Sequence, residues 1–430
     1  MYPFAGLFLC THQMTFFQPK PIAMPQLKAL SVLLTCLALV THLSAQDPFF
    51  SQFFANRVYL NPAYTGIDEG STLTLNYRDQ WFGLADGTSA PTVDGFRTYN
   101  ATYNYQVPCL SRLENTRLGL AGSAFHDATG AAPMTISGGA LSASLEQQLI
   151  GINTRKGSVK SKFRDLSMRA GLQYGWSKRR MIRDYTIYSY QLHPIDGLDP
   201  LTSTSGEPLE SSGYSNLNVG FMMRGGIQWH KYSYTRFTLG FSVNNANEPD
   251  VSLEDSANAV PLPMRTTIHG SVTMQFGASR GSGESWYLAP QFRWDRQLGG
   301  LINTQVIGAY AITRATRTGA FFQYNNSRGE VTNTGIATPF SATNTTTLIL
   351  HSSIDLRYFT DLGKPRRKRQ QGLILGFTYD IALGSLDSGT TTGGLEINLR
   401  MNFQGNPKKR RNCLNLSEGE LYKGGCPWRY

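Results

Sequence analysis

The feature that most constrains the fold of this chain is a two-residue alternation of apolar and polar side chains, which recurs along its 430 residues. The stretch 393–403, GGLEINLRMNF, is an example, because Leu395 and Ile397 alternate with Glu396 and Asn398. Such alternation predicts a β-strand with one apolar and one polar face. A soluble sandwich would expose the polar face to water. A membrane barrel would instead turn the apolar face to lipid and the polar face to a wet lumen.

About fourteen segments share this pattern, and bacterial single-chain barrels have even strand numbers. Charged residues make up only 16% of the chain, against roughly 25% in soluble globular proteins. The predicted strands are approximately Ser71–Arg78, Phe96–Val107, Thr116–Phe125, Met134–Leu149, Asp165–Ser177, Ser215–Gln228, Arg236–Asn244, Arg265–Phe276, Trp286–Arg296, Leu301–Ile312, Gly319–Tyr324, Thr346–Phe359, Gly372–Leu383 and Gly394–Phe403.

The connections between these segments decide between sandwich and barrel. Outer-membrane barrels have short periplasmic turns and longer external loops. With both chain ends in the periplasm, the connections expected outside are 80–95, 177–214, 245–264 and 325–345. Those expected inside are shorter and include 108–115, 230–235, 277–285 and 313–318. This alternation predicts an all-β, antiparallel transmembrane barrel of about fourteen strands in the outer membrane.

The N-terminus indicates export. Residues 24–45 carry one Lys, an apolar run and a small-residue site at Ala45, which is the pattern of a secretory signal peptide. We therefore expect an upstream extension plus signal peptide over 1–45, with cleavage after Ala45. An aromatic N-terminal segment, which could form a plug, follows over 46–70. The barrel covers 71–403, and a basic periplasmic tail covers 404–430.

The polar face of the predicted strands carries charged residues that would line the lumen. One interpretation is a set of ion pairs that brace the barrel; the other is an arginine-rich interior that binds a peptide or a carboxylate-bearing partner. The residues in phase with this face are Arg78, Arg169, Arg224, Arg236, Arg293, Asp295, Asp355, Arg357, Asp380, Glu396 and Arg400.

Two dense basic runs fall on parts of the chain expected in the periplasm. They could form a solvated rim near lipid headgroups or dock an acidic periplasmic partner; nucleic acid is not expected behind a signal peptide. Cys413 and Cys426 could form a disulfide in an oxidising periplasm, with Cys109 left over. The basic residues are Lys364, Arg366, Arg367, Lys368, Arg369, Lys408, Lys409, Arg410 and Arg411.

We expect no catalytic site, metal site or cofactor site in this chain. Gly277-Ala-Ser-Arg-Gly281 matches a nucleophile motif that requires a strand-to-helix elbow, whereas here it lies in a predicted turn. The histidines after the signal peptide are scattered, without metal-ligand spacing. The sequence therefore predicts no enzyme and no cofactor.

The N-terminal segment reads QDPFFSQ over 46–52, LNPAYTG over 60–66 and YRDQW over 77–81. These stretches resemble the PorP/SprF family of type IX secretion membrane proteins, whose chains open with similar QDP-x-F-SQ, LNPA-x-x-G and YR-x-QW motifs. The end, with GFTYDI over 376–381 and a final Cys-Pro, is also similar, although the last three residues depart from the usual family ending. The matching N-terminal residues are Gln46, Asp47, Pro48, Ser51, Gln52, Leu60, Asn61, Pro62, Ala63, Gly66, Tyr77, Arg78, Gln80 and Trp81.

The resemblance implies an outer-membrane barrel of the type IX secretion and gliding system that works without catalysis. Some members are partnered with a large surface adhesin and are needed for its export or for retention of its C-terminal sorting domain. Others link the outer membrane to the periplasmic motor and ring, including its peptidoglycan-associated lipoproteins. The adhesin anchor is the preferred interpretation; the motor linker and a diffusion porin or transporter are the alternatives.

Overall fold

The fold is described from a computed structural model of the chain. It describes residues 50–68, 70–80, 96–107, 116–129, 134–150, 163–181, 192–193, 197–198, 209–211, 213–230, 233–253, 260–276, 286–300, 302–313, 315–327, 329–330, 339–340, 344–356, 371–383 and 393–403. The predicted signal peptide, the basic runs over 364–369 and 408–411, the predicted disulfide and the predicted tail lie outside these residues.

Fourteen long antiparallel strands form one closed sheet. Each strand pairs with the next along the chain, and the first pairs with the last from Ser71↔Phe403 to Gln80↔Gly394. The strands are β1 (Ser71–Gln80), β2 (Phe96–Val107), β3 (Thr116–Thr129), β4 (Met134–Ile150), β5 (Phe163–Met181), β6 (Tyr214–His230), β7 (Ser233–Asn244), β8 (Arg265–Phe276), β9 (Trp286–Gln297), β10 (Ile302–Ile312), β11 (Thr316–Ser327), β12 (Asn344–Asp355), β13 (Gln371–Leu383) and β14 (Gly394–Phe403).

The two faces of each strand differ as the alternation predicts. In β14, Glu396, Asn398 and Arg400 are buried in the lumen, whereas Leu395 and Ile397 lie on the outer face. Large apolar residues cover that outer face elsewhere, including an exposed Leu141 and Trp176 in neighbouring strands. The predicted fourteen-strand outer-membrane barrel is therefore confirmed.

The connections divide between the two ends of the barrel. The near end, where β1 begins and β14 ends, holds the connections 108–115, 151–162, 231–232, 277–285, 313–315 and 356–370. The far end holds 81–95, 130–133, 182–213, 245–264, 298–301, 328–343 and 384–393. The near-end group includes the four connections predicted to lie inside, and the far-end group includes the four predicted to lie outside.

The remaining elements are short. An α-helix over Arg57–Leu60 and a 3-10 helix over Pro62–Tyr64 lie in the N-terminal segment, and a second 3-10 helix spans Leu298–Gly300. In the part of the chain that the structure describes, no helix has the length and apolar character to cross a membrane. Two-residue strands lie at Leu192–His193, Gly197–Leu198, Leu209–Glu210, Gly329–Glu330 and Pro339–Phe340.

Candidate functional site

Residues 50–68, which we call the lumenal segment, lie inside the barrel. The segment starts toward the far end, where Ser51 contacts Glu396, the third residue of β14. It finishes toward the near end, where Asp68 pairs with Arg400, three residues before β14 ends. The chain therefore runs through the lumen from the far level to the near level before β1 begins at Ser71.

The far level of the lumenal segment is held by acidic side chains of the wall. The Ser51 and Gln52 backbone N–H groups donate to one Glu396 carboxylate oxygen at 2.8 and 3.1 Å. The Ser51 hydroxyl donates to Asp380, and Arg78 donates to that hydroxyl at 2.6 Å and to Asp380 at 3.0 Å. All of these groups are buried, so each bond is made away from water and strengthened by charge.

The middle of the lumenal segment is positioned by Asn61. Its side-chain oxygen accepts from the Ala63 N–H at 2.8 Å and caps the 3-10 helix. Its amide nitrogen donates to the Phe221 and Phe241 carbonyls of the wall at 3.1 and 3.2 Å and lies 3.0 Å from Nε2 of His269. One side chain thus joins the segment to strands β6, β7 and β8.

Two glycines make room for this part of the segment. Gly171 of β5 is the register partner of Gly220 of β6. A Cβ at Gly171 would lie 2.3 Å from the Pro62 carbonyl carbon, and one at Gly220 would lie 1.9 Å from Oδ1 of Asn61. The Asn61-Pro62 pair therefore seats directly against the strand backbones, at a distance that no side chain with a Cβ permits.

Arg169 of β5 fastens the next turn of the segment. Its guanidinium donates to the Ala63 carbonyl at 2.8 Å, to the Thr65 carbonyl and to Glu146 at 2.6 Å. Ser144 also donates to the Thr65 carbonyl, at 2.5 Å. A buried guanidinium therefore serves two backbone carbonyls of the lumenal segment while Glu146 compensates its charge.

The near level of the lumenal segment is held by Asp68, which pairs with Arg57 at 3.1 Å and with Arg400 at 2.7 Å. Burial alone would raise the pKa of this carboxyl. The guanidinium groups of Arg400 and Arg57 outweigh burial and hold the pKa of Asp68 below its ordinary value. Asp68 is therefore a carboxylate at neutral pH and ties the segment to β14.

One side of the lumen wall is apolar and packs against the segment. The ring of Phe54 lies 4.7 Å from that of Tyr310 in an edge-on arrangement, and Phe53 lies 6.1 Å from Phe321. Arg317 stacks over the Tyr310 ring, with its Cζ 3.9 Å from the ring centroid. The wall residues of this cluster are Met222, Tyr287, Ala289, Val306, Tyr310, Ile312, Phe321 and Ile349.

The structure buries nearly all of the charged residues that the sequence assigns to the lumen. It brings Arg78, Asp380 and Glu396 together, pairs Arg293 with Asp295 at 2.6 Å, and leaves Arg357 outside the described residues. Buried in different parts of the wall are Arg78, Arg169, Arg224, Arg236, Arg293, Asp295, Asp355, Asp380, Glu396 and Arg400.

The N-terminal motif residues divide into three groups. Lumenal-segment contacts are made by Ser51, Gln52, Asn61 and the backbones of Ala63 and Gly66. Leu60 and Pro62 are also in the lumenal segment, where both are buried. Tyr77, Arg78 and Gln80 form the second group, in β1. Outside the described residues lie Gln46, Asp47, Pro48 and Trp81.

Several residues of the lumen were missed by the sequence reasoning. His269, Arg265 and Arg317 are buried on inward positions and contact the lumenal segment. Arg265 and His269 lie four residues apart on the inward face of β8, and the alternation of that strand could have shown this. Arg317 was predicted in a connection over 313–318, whereas the structure places it in β11, whose alternation is weak. Among the described residues, no group of three His, Cys, Asp or Glu side chains could hold a metal ion.

Comparison with protein-family models identifies the family of this chain. The model of "Type IX secretion system membrane protein PorP/SprF" matches residues 42–401, which include the lumenal segment and nearly the whole barrel. The chain belongs to the PorP/SprF family. No curated protein gives a significant match to the sequence.

Solved structures with a similar arrangement are also barrels. A FadL homologue of Pseudomonas aeruginosa is 12% identical with a TM-score of 0.37, covering 81% of this chain and 94% of that one. The monoaromatic hydrocarbon channel CymD is 13% identical with a TM-score of 0.36, covering 82% and 93%. The β domain of the Bordetella autotransporter BrkA is 8% identical with a TM-score of 0.33, covering 79% and 100%. Similarity at this level carries no argument about what this PorP/SprF protein does.

Proposed function

We propose that this PorP/SprF protein is a non-enzymatic outer-membrane component that binds a surface adhesin through its C-terminal sorting domain and helps to export or anchor it. The family match to type IX secretion supports this proposal. The observation that carries it is the lumenal segment, which fixes the protein's own chain through the barrel with buried charged contacts.

The lumenal segment favours this proposal over a diffusion porin. A porin requires an open aqueous lumen. Here the segment is bonded to the wall at the far level by Glu396, in the middle by Asn61 and at the near level by Asp68. We propose that it acts as a plug in the resting protein and that both chain ends lie in the periplasm.

The test is purification of the native protein in mild detergent, followed by identification of everything that copurifies. We expect a large secreted adhesin in stoichiometric amount, bound through its C-terminal domain. Truncating that domain from the adhesin should abolish copurification, and truncating an internal adhesin repeat serves as the matched control. Copurification of periplasmic ring proteins or peptidoglycan-binding lipoproteins without an adhesin would instead make the protein a motor linker. A bare barrel that conducts ions would make it a porin.

A further inference from the structure

A second site lies at the far end of the lumen, above the lumenal segment. Its wall comes from strands β3 to β8 and its floor from Tyr59. We call it the far-end pocket. Its lining residues are Tyr59, Phe125, Ile136, Ser177, Arg179, Tyr214, Asn216, Asn218, Asn244, Asn245, Leu262 and Arg265.

The connection after β7 folds over the far-end pocket and gives it a fixed shape. Val251 and Leu262 of this connection pack with Tyr214 of β6 in a small buried cluster. Arg179 donates to the Val251 carbonyl at 3.4 Å, and the Asn245 N–H donates to Oδ1 of Asn218 at 2.8 Å. These contacts tie the connection after β7 to β5 and β6 beside the pocket.

The polar chemistry of the pocket is that of an anion and amide receptor. Two guanidinium groups, Arg179 and Arg265, line it together with four asparagine side chains, and no carboxylate is among the described lining residues. Arg265 lies over the Tyr59 ring, with Cζ 5.2 Å from the centroid, which places the guanidinium beside the floor of the pocket. Guanidinium groups bind carboxylates through paired charged hydrogen bonds.

One donor in the pocket is unused. The side-chain nitrogen of Asn244 is buried and has no hydrogen-bond partner among the described residues. Buried polar groups in folded proteins are nearly always bonded, so this nitrogen requires a partner that the described residues do not supply. Asn216 stands nearby on the same wall and donates to Asn245 at 3.3 Å.

We propose that the far-end pocket binds an extended peptide segment that carries a carboxylate. The carboxylate pairs with Arg265 and Arg179, a peptide carbonyl accepts from Asn244, and apolar side chains of the peptide pack on Tyr59, Phe125 and Tyr214. An extended peptide fits both the polar and the aromatic lining residues of the pocket. Its backbone offers amide groups at regular spacing for the polar residues, and its alternating side chains can pack on the aromatic ones. The inference rests on the proposed function, since it names the chemistry of the partner segment.

The experiment uses the purified full-length barrel in detergent and two fluorescently labelled, end-capped peptides. One has the sequence Thr-Val-Asp-Val-Thr, and the other replaces the Asp with Asn. Binding is measured by fluorescence anisotropy. We expect the Asp peptide to bind at least about tenfold more tightly than the Asn peptide, and to weaken as salt is raised. Equal binding of the two peptides, or no binding of either, would overturn the inference.

Three variants locate the site. R265Q and R179Q should each weaken binding of the Asp peptide by about tenfold or more, with little change for the Asn peptide. R296Q is the matched control, because Arg296 is an exposed arginine toward the same end but on the outer face; it should bind like the wild type. The heat-dependent mobility of the folded barrel in gels checks that each variant folds. If R179Q and R265Q, both folded, bind like R296Q, the assigned pocket is wrong. Failure of this assay with successful copurification of the adhesin would leave the proposed function standing.

Discussion

Replacing Gly171 by Ala tests whether the lumenal segment closes the pore. The new Cβ would lie 2.3 Å from the Pro62 carbonyl carbon, where 3.4 Å is the lower limit of ordinary contact. The segment must therefore retreat by about 1.1 Å, which would stretch the 2.8 Å bond from Arg169 to the Ala63 carbonyl to about 3.9 Å, beyond hydrogen-bonding range.

The expected energy follows from these contacts. Loss of a bond to a charged donor costs about 1.5–3 kcal/mol, and overpacking costs about 1–3 kcal/mol. A combined penalty of about 2.5–6 kcal/mol changes the ratio of displaced to seated segment by roughly sixtyfold to twenty-thousandfold, since about 1.4 kcal/mol corresponds to a factor of ten.

Single-channel recording in planar lipid bilayers measures the consequence. The wild type should remain closed, and G171A should show long conducting periods. G122A is the matched control, because a Cβ at Gly122 would meet only Cδ2 of Leu141, at 3.9 Å; it should behave as the wild type. A folded G171A barrel that stays closed, or a G122A barrel that opens equally, would refute the reasoning.

Three further predictions concern single residues. E396Q should lower the free energy of unfolding by about 1–3 kcal/mol, because a neutral amide replaces the carboxylate that accepts from two buried N–H groups. Denaturant titration in detergent measures this change, with E210Q, at an exposed carboxylate, as the control. Equal midpoints for E396Q and E210Q would contradict the prediction. Asp68 has a folded pKa below its ordinary value of 3.8, so its stabilisation is present above that value and is lost as pH falls through the folded pKa. Thermal unfolding between about pH 7 and about pH 2 should therefore show a smaller acid loss in D68N, and parallel curves would exclude this role. In a cysteine-free background, V260C at the far end should react with a membrane-impermeant maleimide on intact cells and T313C at the near end should not; the reverse pattern would invert the orientation.

The strands were predictable because one face of each meets lipid. In β14 the inward residues Glu396, Asn398 and Arg400 are polar and the outward ones are mostly apolar, so the alternation is clean. Strands β10 and β11 were the ambiguous ones, and the structure supplies the reason. Their inward residues Tyr310 and Phe321 pack on the lumenal segment, so both faces are apolar and the period-two contrast weakens.

The arrangement of the lumen was less accessible from sequence. Strand phase predicts that Arg169 and Glu396 point inward, but not that they bind the backbone of residues far away in the chain. Those bonds depend on where the lumenal segment lies, and the segment has no periodic pattern that would fix its path. The paired glycines 171 and 220 mark that path, yet glycine in a strand predicts only a close approach of some other group.

The path of the lumenal segment has a consequence for biogenesis. The ring closes where Ser71 meets Phe403, so the last strand to be made completes the barrel that encloses residues 50–68. Closure of so long a loop is slow compared with local hairpin formation, which leaves an interval in which the segment can be inside or outside the growing sheet. Residues 50–68 must therefore either reach the lumen before Ser71 pairs with Phe403 or thread into a ring that is already closed.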